Sequence, residues 1–341
     1  MLLEEYRPVS ELITKHTELA GPKYPVIDFH MHMGPINLGR DYEKKYDLDS
    51  TVEHLRAQGV AGCVNPDTCY GDELKRMMQF TEKYGDFFTT FGGVDISRCE
   101  QADFEKYVTV TMEEYRRIGV KGIKLWKNFG LSLRGADGRL LMPTQPVFDA
   151  LWQAAAQNHL PVLFHIADPV AFFKKNDRYN ERYEELAAHP DWSFCGEGLP
   201  SFAELMQMQE QLVSSNPGTT FILAHCAGYA ENLGYVSHLL DSYPNVYVDL
   251  AARIGELGRQ PYTARQFLTR YSERIVFGTD YSPGAENLYP TYYRFLETYD
   301  EYFPYDESYK QGRWNIYGVG LDDPALENIY HKTAERLLSQ Q

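Results

Sequence analysis

Eight short apolar runs, spaced along the whole chain and separated by segments of helical pattern, constrain the fold more than any other feature. They are 26–32 (VIDFHMH), 60–66 (VAGCVNP), 87–95 (FFTTFGGVD), 120–126 (VKGIKLW), 161–167 (PVLFHIA), 219–226 (TTFILAHC), 245–251 (NVYVDLA) and 274–280 (RIVFGTD). Their length and their β-branched and aromatic content mark them as strands. The intervening segments 103–118 and 146–158 carry apolar residues at three- and four-residue spacing, as amphipathic helices do. Segment 49–58 has Asp49 or Ser50 as a natural cap, and 201–214 opens with Ser201 and Glu204 at capping-box spacing. Strand and helix alternating eight times predict an α/β fold, a (β/α)8 TIM barrel, as one domain over residues 1–341. A doubly wound open sheet is the competing arrangement, since both folds bury their strands on two faces.

The barrel is favoured by where the reactive side chains fall. His30 and His32 end the first run, His165 the fifth, followed by Asp168; His225 ends the sixth, Asp249 lies in the seventh and Asp280 ends the eighth. Lys124 lies in the fourth. On a barrel these ends converge on one mouth, whereas on an open sheet they are spread along an edge. Side chains two apart on a strand share a face, so His30 and His32 can present two imidazoles together. Imidazoles with a carboxylate and an open position suit a catalytic divalent metal: zinc first, with manganese, iron and nickel also compatible. Such an ion lowers the pKa of its bound water to about 7, which makes a hydroxide nucleophile available. Asp280 is placed to take a proton from that water, and His225 to polarise or protonate a substrate.

These pieces together resemble the amidohydrolase superfamily, in its amidohydrolase-related branch that includes aminocarboxymuconate-semialdehyde decarboxylase, other non-oxidative decarboxylases and lactonases. The resemblance rests on Asp28-Phe29-His30-Met31-His32, Phe164-His165, Ala224-His225-Cys226, Phe277-Gly278-Thr279-Asp280 and a closing helix from Ile329 to Leu338. It implies a metal held by His30, His32, His165 and Asp280, with Asp280 and His225 catalytic. In some branches a lysine at the end of strand four is carboxylated and bridges two metals. Lys124 is a candidate for that, for a substrate carboxylate, or for packing; Arg253 is a second candidate substrate contact. The expected activity is hydrolysis of a C–N or C–O bond in a small carboxylate-bearing or cyclic substrate by metal-bound hydroxide. The alternatives are a decarboxylase or hydratase on the same site, and a non-catalytic binding barrel.

Composition bounds the rest. A formal net charge of −15 argues against a nucleic-acid partner. No apolar run reaches the length of a membrane span and no leader pattern is visible at the start, so the expected setting is cytoplasmic, with a small molecule as the partner. The 26 tyrosines and 18 phenylalanines are compatible with aromatic pockets, an aromatic core or a homo-oligomer interface. The five cysteines are odd in number and include no CxxC pair, which argues against a disulfide framework or a zinc knuckle. The stretch 168–218 is the longest connection, and its polar, aromatic first part reads as a lid over the mouth. Residues 286–341 read as a helical C-terminal extension. Asp28 and Asp249 are each either a partner for an imidazole or a carboxylate bonded to backbone.

Overall fold

Each of the eight apolar runs contains a strand: β1 Val26–Asp28, β2 Val60–Asn65, β3 Phe88–Thr90, β4 Ile123–Leu125, β5 Val162–Phe164, β6 Phe221–Leu223, β7 Val246–Asp249 and β8 Ile275–Val276. The structure is a computed structural model and describes residues 5–6, 8–284, 288–305 and 311–339. All pairings are parallel, in the orders β1-β2-β3 and β4-β5-β6-β7-β8. Backbone bonds join the two sheets on both sides. Gly92 N–H donates to Gly122 O and Lys124 N–H to Gly92 O between β3 and β4; Phe29 N–H donates to Phe277 O and Asp280 N–H to His30 O between β8 and β1. The open-sheet alternative is therefore set aside, and the fold is the (β/α)8 barrel.

Every strand is followed by a helix: α1 Leu48–Ala57, α2 Gly71–Thr81, α3 Phe104–Ile118, α4 Asp149–Gln157, α5 Phe202–Ser215, α6 Leu233–Ser242, α7 Pro261–Arg270 and α8 Leu288–Glu297. Helix α5 begins with the expected capping box, in which Ser201 and Glu204 satisfy each other's backbone N–H groups. Helix α1 is a correction: its cap is Asp47, which accepts from Ser50 N–H, and Asp49 and Ser50 lie inside the helix. The cap lies two residues before Asp49, because Leu48 is already helical.

Two levels of side chains fill the barrel. Lys124, Leu163, Ile222 and Tyr247 are paired neighbours across four strands and so point to one face. Phe29, Val64, Phe91, Leu163, Ile222 and Val276 form one apolar cluster with Ala334 and Leu337 of the last helix, α9, Thr333–Ser339. The C-terminal helix thus packs into the interior from the end opposite the histidines. It is preceded by helix Asp323–Glu327 and a π-helical turn, Asn328–Lys332. At that turn the Ile329 carbonyl accepts the Phe277 N–H at 2.9 Å, which fixes the segment leading to Asp280.

One regional expectation changes. The stretch 286–341 is helical only at its ends, with residues 298–305 and 311–322 running as non-helical chain, while 286–287, 306–310 and 340–341 lie outside the described residues. The first part of 168–218 holds short helices, Tyr183–Ala188 among them, before α5 begins. Many aromatic residues are core: Phe277 packs against Tyr292 at 5.5 Å and Tyr330 at 5.6 Å, ring centre to ring centre. No helix among the described residues is long and apolar enough to cross a membrane.

Candidate metal centre

Parallel strands place all their C-terminal ends at one mouth, and the reactive side chains meet there. His30 and Asp280 stand on adjacent chain ends because the Asp280 N–H is bonded to the His30 carbonyl. Gly278 makes room for this: a Cβ there would sit 3.1 Å from the His30 Cβ. His30 Nε2 lies 3.5 Å, and His32 Nε2 3.2 Å, from the same Asp280 Oδ1. One ligand atom from each of His30, His225 and Asp280 lies within 4.8 Å of the others. His165 is next to this group, its ring centre 4.3 Å from that of His225, but its Nε2 is turned to Asp168 at 3.2 Å. The tightest triad therefore contains His225 in place of the expected His32 and His165.

The second nitrogen of each imidazole is fixed by a partner, as metal-ligating histidines generally require. His30 Nδ1 is 2.8 Å from Asp249 Oδ2 and His32 Nδ1 is 3.1 Å from Asp67 Oδ1. His225 Nδ1 faces the Ala251 carbonyl at 2.9 Å, which leaves Nε2 as the nitrogen with a lone pair. His30 Nδ1 donating to Asp249 leaves its Nε2 to accept from the buried Lys124 ammonium at 2.8 Å. Asp249 takes both of its open readings, meeting His30 through Oδ2 and the His225 and Ala251 backbone N–H groups through Oδ1. Asp28 takes only the second, accepting from the His30 and Thr279 backbone N–H groups and from the Thr279 and Tyr289 hydroxyls.

Electrostatics agree with a cation-binding centre. Burial, reinforced by nearby cationic groups, holds His30 and His225 well below the usual histidine pKa, and lowers His165 to about 4. These three imidazoles are neutral, the state a metal ligand needs. Burial alone would lower His32 too, but the Asp280 and Asp67 carboxylates raise it to about 9. Burial likewise works to raise Asp280, yet the charged His32 ring bonded to it outweighs that and keeps the carboxyl well below its usual range. A field that draws a proton onto His32 draws a metal cation by the same attraction. His165 Nδ1 is buried and has no hydrogen-bond partner, as a free ligand atom would be, while His32 Nε2 meets Asp280 Oδ1 at 3.2 Å. The residues present fit a divalent ion.

Around this group lie side chains suited to a substrate. Arg253 is 5% exposed; its Nη1 donates to the Ala252 carbonyl, its Nη2 is 4.0 Å from Asp168, and its Nε has no partner. The guanidinium is buried, at the start of a short helix, Ile254–Gly258. Lys124 is fully buried, with its ammonium on His30. Burial lowers it to about 8 against the pull of Asp280 and Asp249. Cys226 is buried and its thiol is pushed up by that burial, which removes it as a nucleophile.

Sequence reasoning passed over Asp67, Trp126 and Lys127. Lys127 is ion-paired with Asp168, and the Trp126 ring packs edge-on to His32 and His165. All three lie just beyond the ends of β2 and β4, so extending the strand-end rule by two residues would have found them.

No curated protein sequence matches the chain. Solved structures share its fold at low identity. The 2,6-dihydroxybenzoate decarboxylase from Rhizobium is 13% identical with a TM-score of 0.59, covering 92% of this chain and 98% of its own. A dihydroxybenzoic acid decarboxylase from Polaromonas, with bound manganese and 2-nitroresorcinol, is 11% identical with a TM-score of 0.60 over 92% and 97%. A putative amidohydrolase from Staphylococcus aureus is 16% identical with a TM-score of 0.58 over 92% and 99%. The sequence profile of the Amidohydrolase family matches residues 27–340, and over that span the chain belongs to this family.

Proposed function

We propose that the chain is a metal-dependent hydrolase of a small carboxylate-bearing substrate, such as a lactone or cyclic amide. His30, His32, His165 and Asp280 would hold the ion, with His225 beside them. The observation that carries this reading is the convergence of two neutralisable imidazole nitrogens from β1 on one Asp280 oxygen after β8. Zinc suits the mixed nitrogen and oxygen donors, and manganese, present in the Polaromonas structure, suits them too. When bound, a divalent ion lowers the pKa of water and polarises a carbonyl oxygen.

The chain's own residues supply the rest. Arg253 offers an unpaired N–H donor, Nε, in a buried setting, where a substrate carboxylate is the natural acceptor. Asp280 is ionised and its side chain is 32% exposed, so it can take a proton from water and return it to the leaving nitrogen or oxygen. His225 accepts or gives a proton at Nε2, because Ala251 occupies Nδ1. Asp249 holds His30 at Nδ1, and the Lys124 ammonium, which meets Nε2 in this structure, would yield that lone pair to a bound ion.

A second reading, non-oxidative decarboxylation, is favoured by the two decarboxylases among the similar structures. In it the bond to the carboxylate breaks with its electron pair left on carbon, carbon dioxide leaves, and a proton taken from water by Asp280 or His225 is passed to that carbon. The test is a panel of lactones, cyclic amides and hydroxybenzoates in 18O-water with the metal-loaded protein. Hydrolysis predicts 18O in a new product carboxyl and no carbon dioxide. Release of carbon dioxide without 18O uptake would replace it with the second reading.

A further inference from the structure

The segment before β1 turns its apolar residues outward. Val9 and Leu12 are 85% and 65% exposed, and Ile13 is fully so. Leu12 and Ile13 are the only exposed leucine and isoleucine among the described residues. The segment is anchored at both ends. The Tyr6 carbonyl accepts from Arg313 Nη1 at 2.9 Å, and Thr17 is tied to Asp300 through its N–H and its hydroxyl. Tyr6 at one anchor, and Tyr299 and Tyr302 beside the other, are exposed as well. A patch of this kind, held in place with its apolar side chains in water, marks a surface for association.

Its backbone is open to pairing too. Residues 8–18 belong to no helix or strand, and among the described residues no backbone-to-backbone hydrogen bond reaches them. Such a stretch offers the donors and acceptors of an unpaired strand edge, which another chain can complete. The charge order says which chain. Glu11-Leu12-Ile13-Thr14-Lys15 carries an acid and a base at equal distances on either side of Ile13. Laid antiparallel on itself with Ile13 at the two-fold axis, the segment sets each Glu11 opposite a Lys15. Glu11, Ile13 and Lys15 are all exposed, and on a strand they share one face. A parallel pairing would set like charges opposite each other. Copies of a chain with a net charge of −15 repel one another in general, so a local match of opposite charges selects where they meet.

We propose that this surface is the interface of a two-fold symmetric dimer, in which residues 9–15 pair antiparallel with the same residues of a second copy. The exposed parts of Tyr6, Val9, Leu12, Ile13, Tyr299 and Tyr302 amount to roughly 800 Å² per copy, which is what one side of a standard interface buries. An unrelated partner would leave the symmetric order of Glu11 and Lys15 without a use. A second copy uses both charges twice, once on each side of the axis. The dimer stands apart from the chemistry of the metal centre and rests on none of it.

Sedimentation velocity on the full, metal-loaded chain tests this, at concentrations up to about 100 µM. The wild type is expected to dimerise with a micromolar Kd. Ile13→Glu sets two carboxylates against each other at the axis and should weaken the dimer about a hundredfold. Glu11→Lys and Lys15→Glu each turn two attractive pairs into two repulsive ones, and each should weaken it about tenfold. The double variant, Glu11→Lys with Lys15→Glu, restores opposite charges and should return the Kd to within about threefold of wild type. All of these side chains are exposed, so the circular dichroism spectrum and the metal content are expected to stay unchanged. A wild type that stays monomeric at the highest concentration overturns the proposal. So does a dimer that Ile13→Glu and Glu11→Lys leave unaltered, or one that the double variant fails to restore.

Discussion

Asp249 shows how much a single residue organises at this centre. Its Oδ2 meets His30 Nδ1, and its Oδ1 accepts the His225 backbone N–H at 2.6 Å and the Ala251 N–H at 3.1 Å. One buried carboxylate therefore sets the tautomer of an imidazole on β1 and the backbone position of another after β6. Asp249→Asn keeps the volume but can turn an amide donor toward His30. We expect metal affinity to fall roughly 10–100-fold, the range for losing such a supporting carboxylate, with the circular dichroism spectrum unchanged. Metal titration of both proteins checks this; equal affinities would show that Asp249 acts only on the backbone. The sequence carried Asp249 as ambiguous because strand position gives the face a side chain is on, not the atom it reaches. Asp28 occupied the same kind of position and chose backbone.

Among the elements, the end of β6 departs most from ordinary backbone. His225, Cys226 and Ala227 have φ of 58°, 55° and 56°, followed by Gly228 at 66°, a single turn of left-handed helix. For residues with a Cβ this conformation costs about 1–2 kcal/mol each, and it persists where surrounding bonds over-determine it. Here those are the Asp249 contact to His225 N–H and the Gly228 N–H bonds to the Ala224 and His225 carbonyls. The turn aims the His225 ring into the mouth. Gly228→Ala would add a fourth strained residue and set a Cβ 3.0 Å from the Ala167 carbonyl. We expect a loss of about 1–3 kcal/mol, read as a lower urea midpoint at constant slope. An unshifted midpoint would mean the turn is not under strain. The strands were legible because parallel strands buried on both faces are apolar throughout, a pattern that survives in sequence. The left-handed turn was not, since His-Cys-Ala has no propensity for it and Gly228 is its one local mark.

At the scale of the whole molecule, closure of the barrel depends on contacts between residues far apart in the chain. The order of reactive strand ends was enough to foresee the mouth, but not what seals the periphery. One such seal is Asp300, which accepts from the Thr17 N–H at 2.8 Å and hydroxyl at 2.6 Å and pairs with Arg294 at 2.7 Å. No pattern in the irregular segment around Thr17 announces this partnership. Burial works to raise the Asp300 carboxyl, but the Thr17 donors and Arg294 outweigh it and hold it below its ordinary value of 3.8. A carboxyl lowered on folding contributes stability above its unfolded value, and that contribution is lost as pH falls through the folded one. Asp300→Asn should therefore lower the urea midpoint at pH 7, by an amount equivalent to about 1 kcal/mol or more, with the gap to wild type closing below pH 4. A gap of constant size at both pH values would contradict this. The central claim, that side chains from β1, β5 and β8 compose one divalent-metal site, is tested most directly by metal analysis of the protein purified without chelator and reloaded with zinc or manganese. The account predicts about one tightly held ion per chain, lost in both His30→Ala and Asp280→Asn while each variant stays folded. A folded wild-type chain that takes up no ion, or variants that retain it in full, would contradict it.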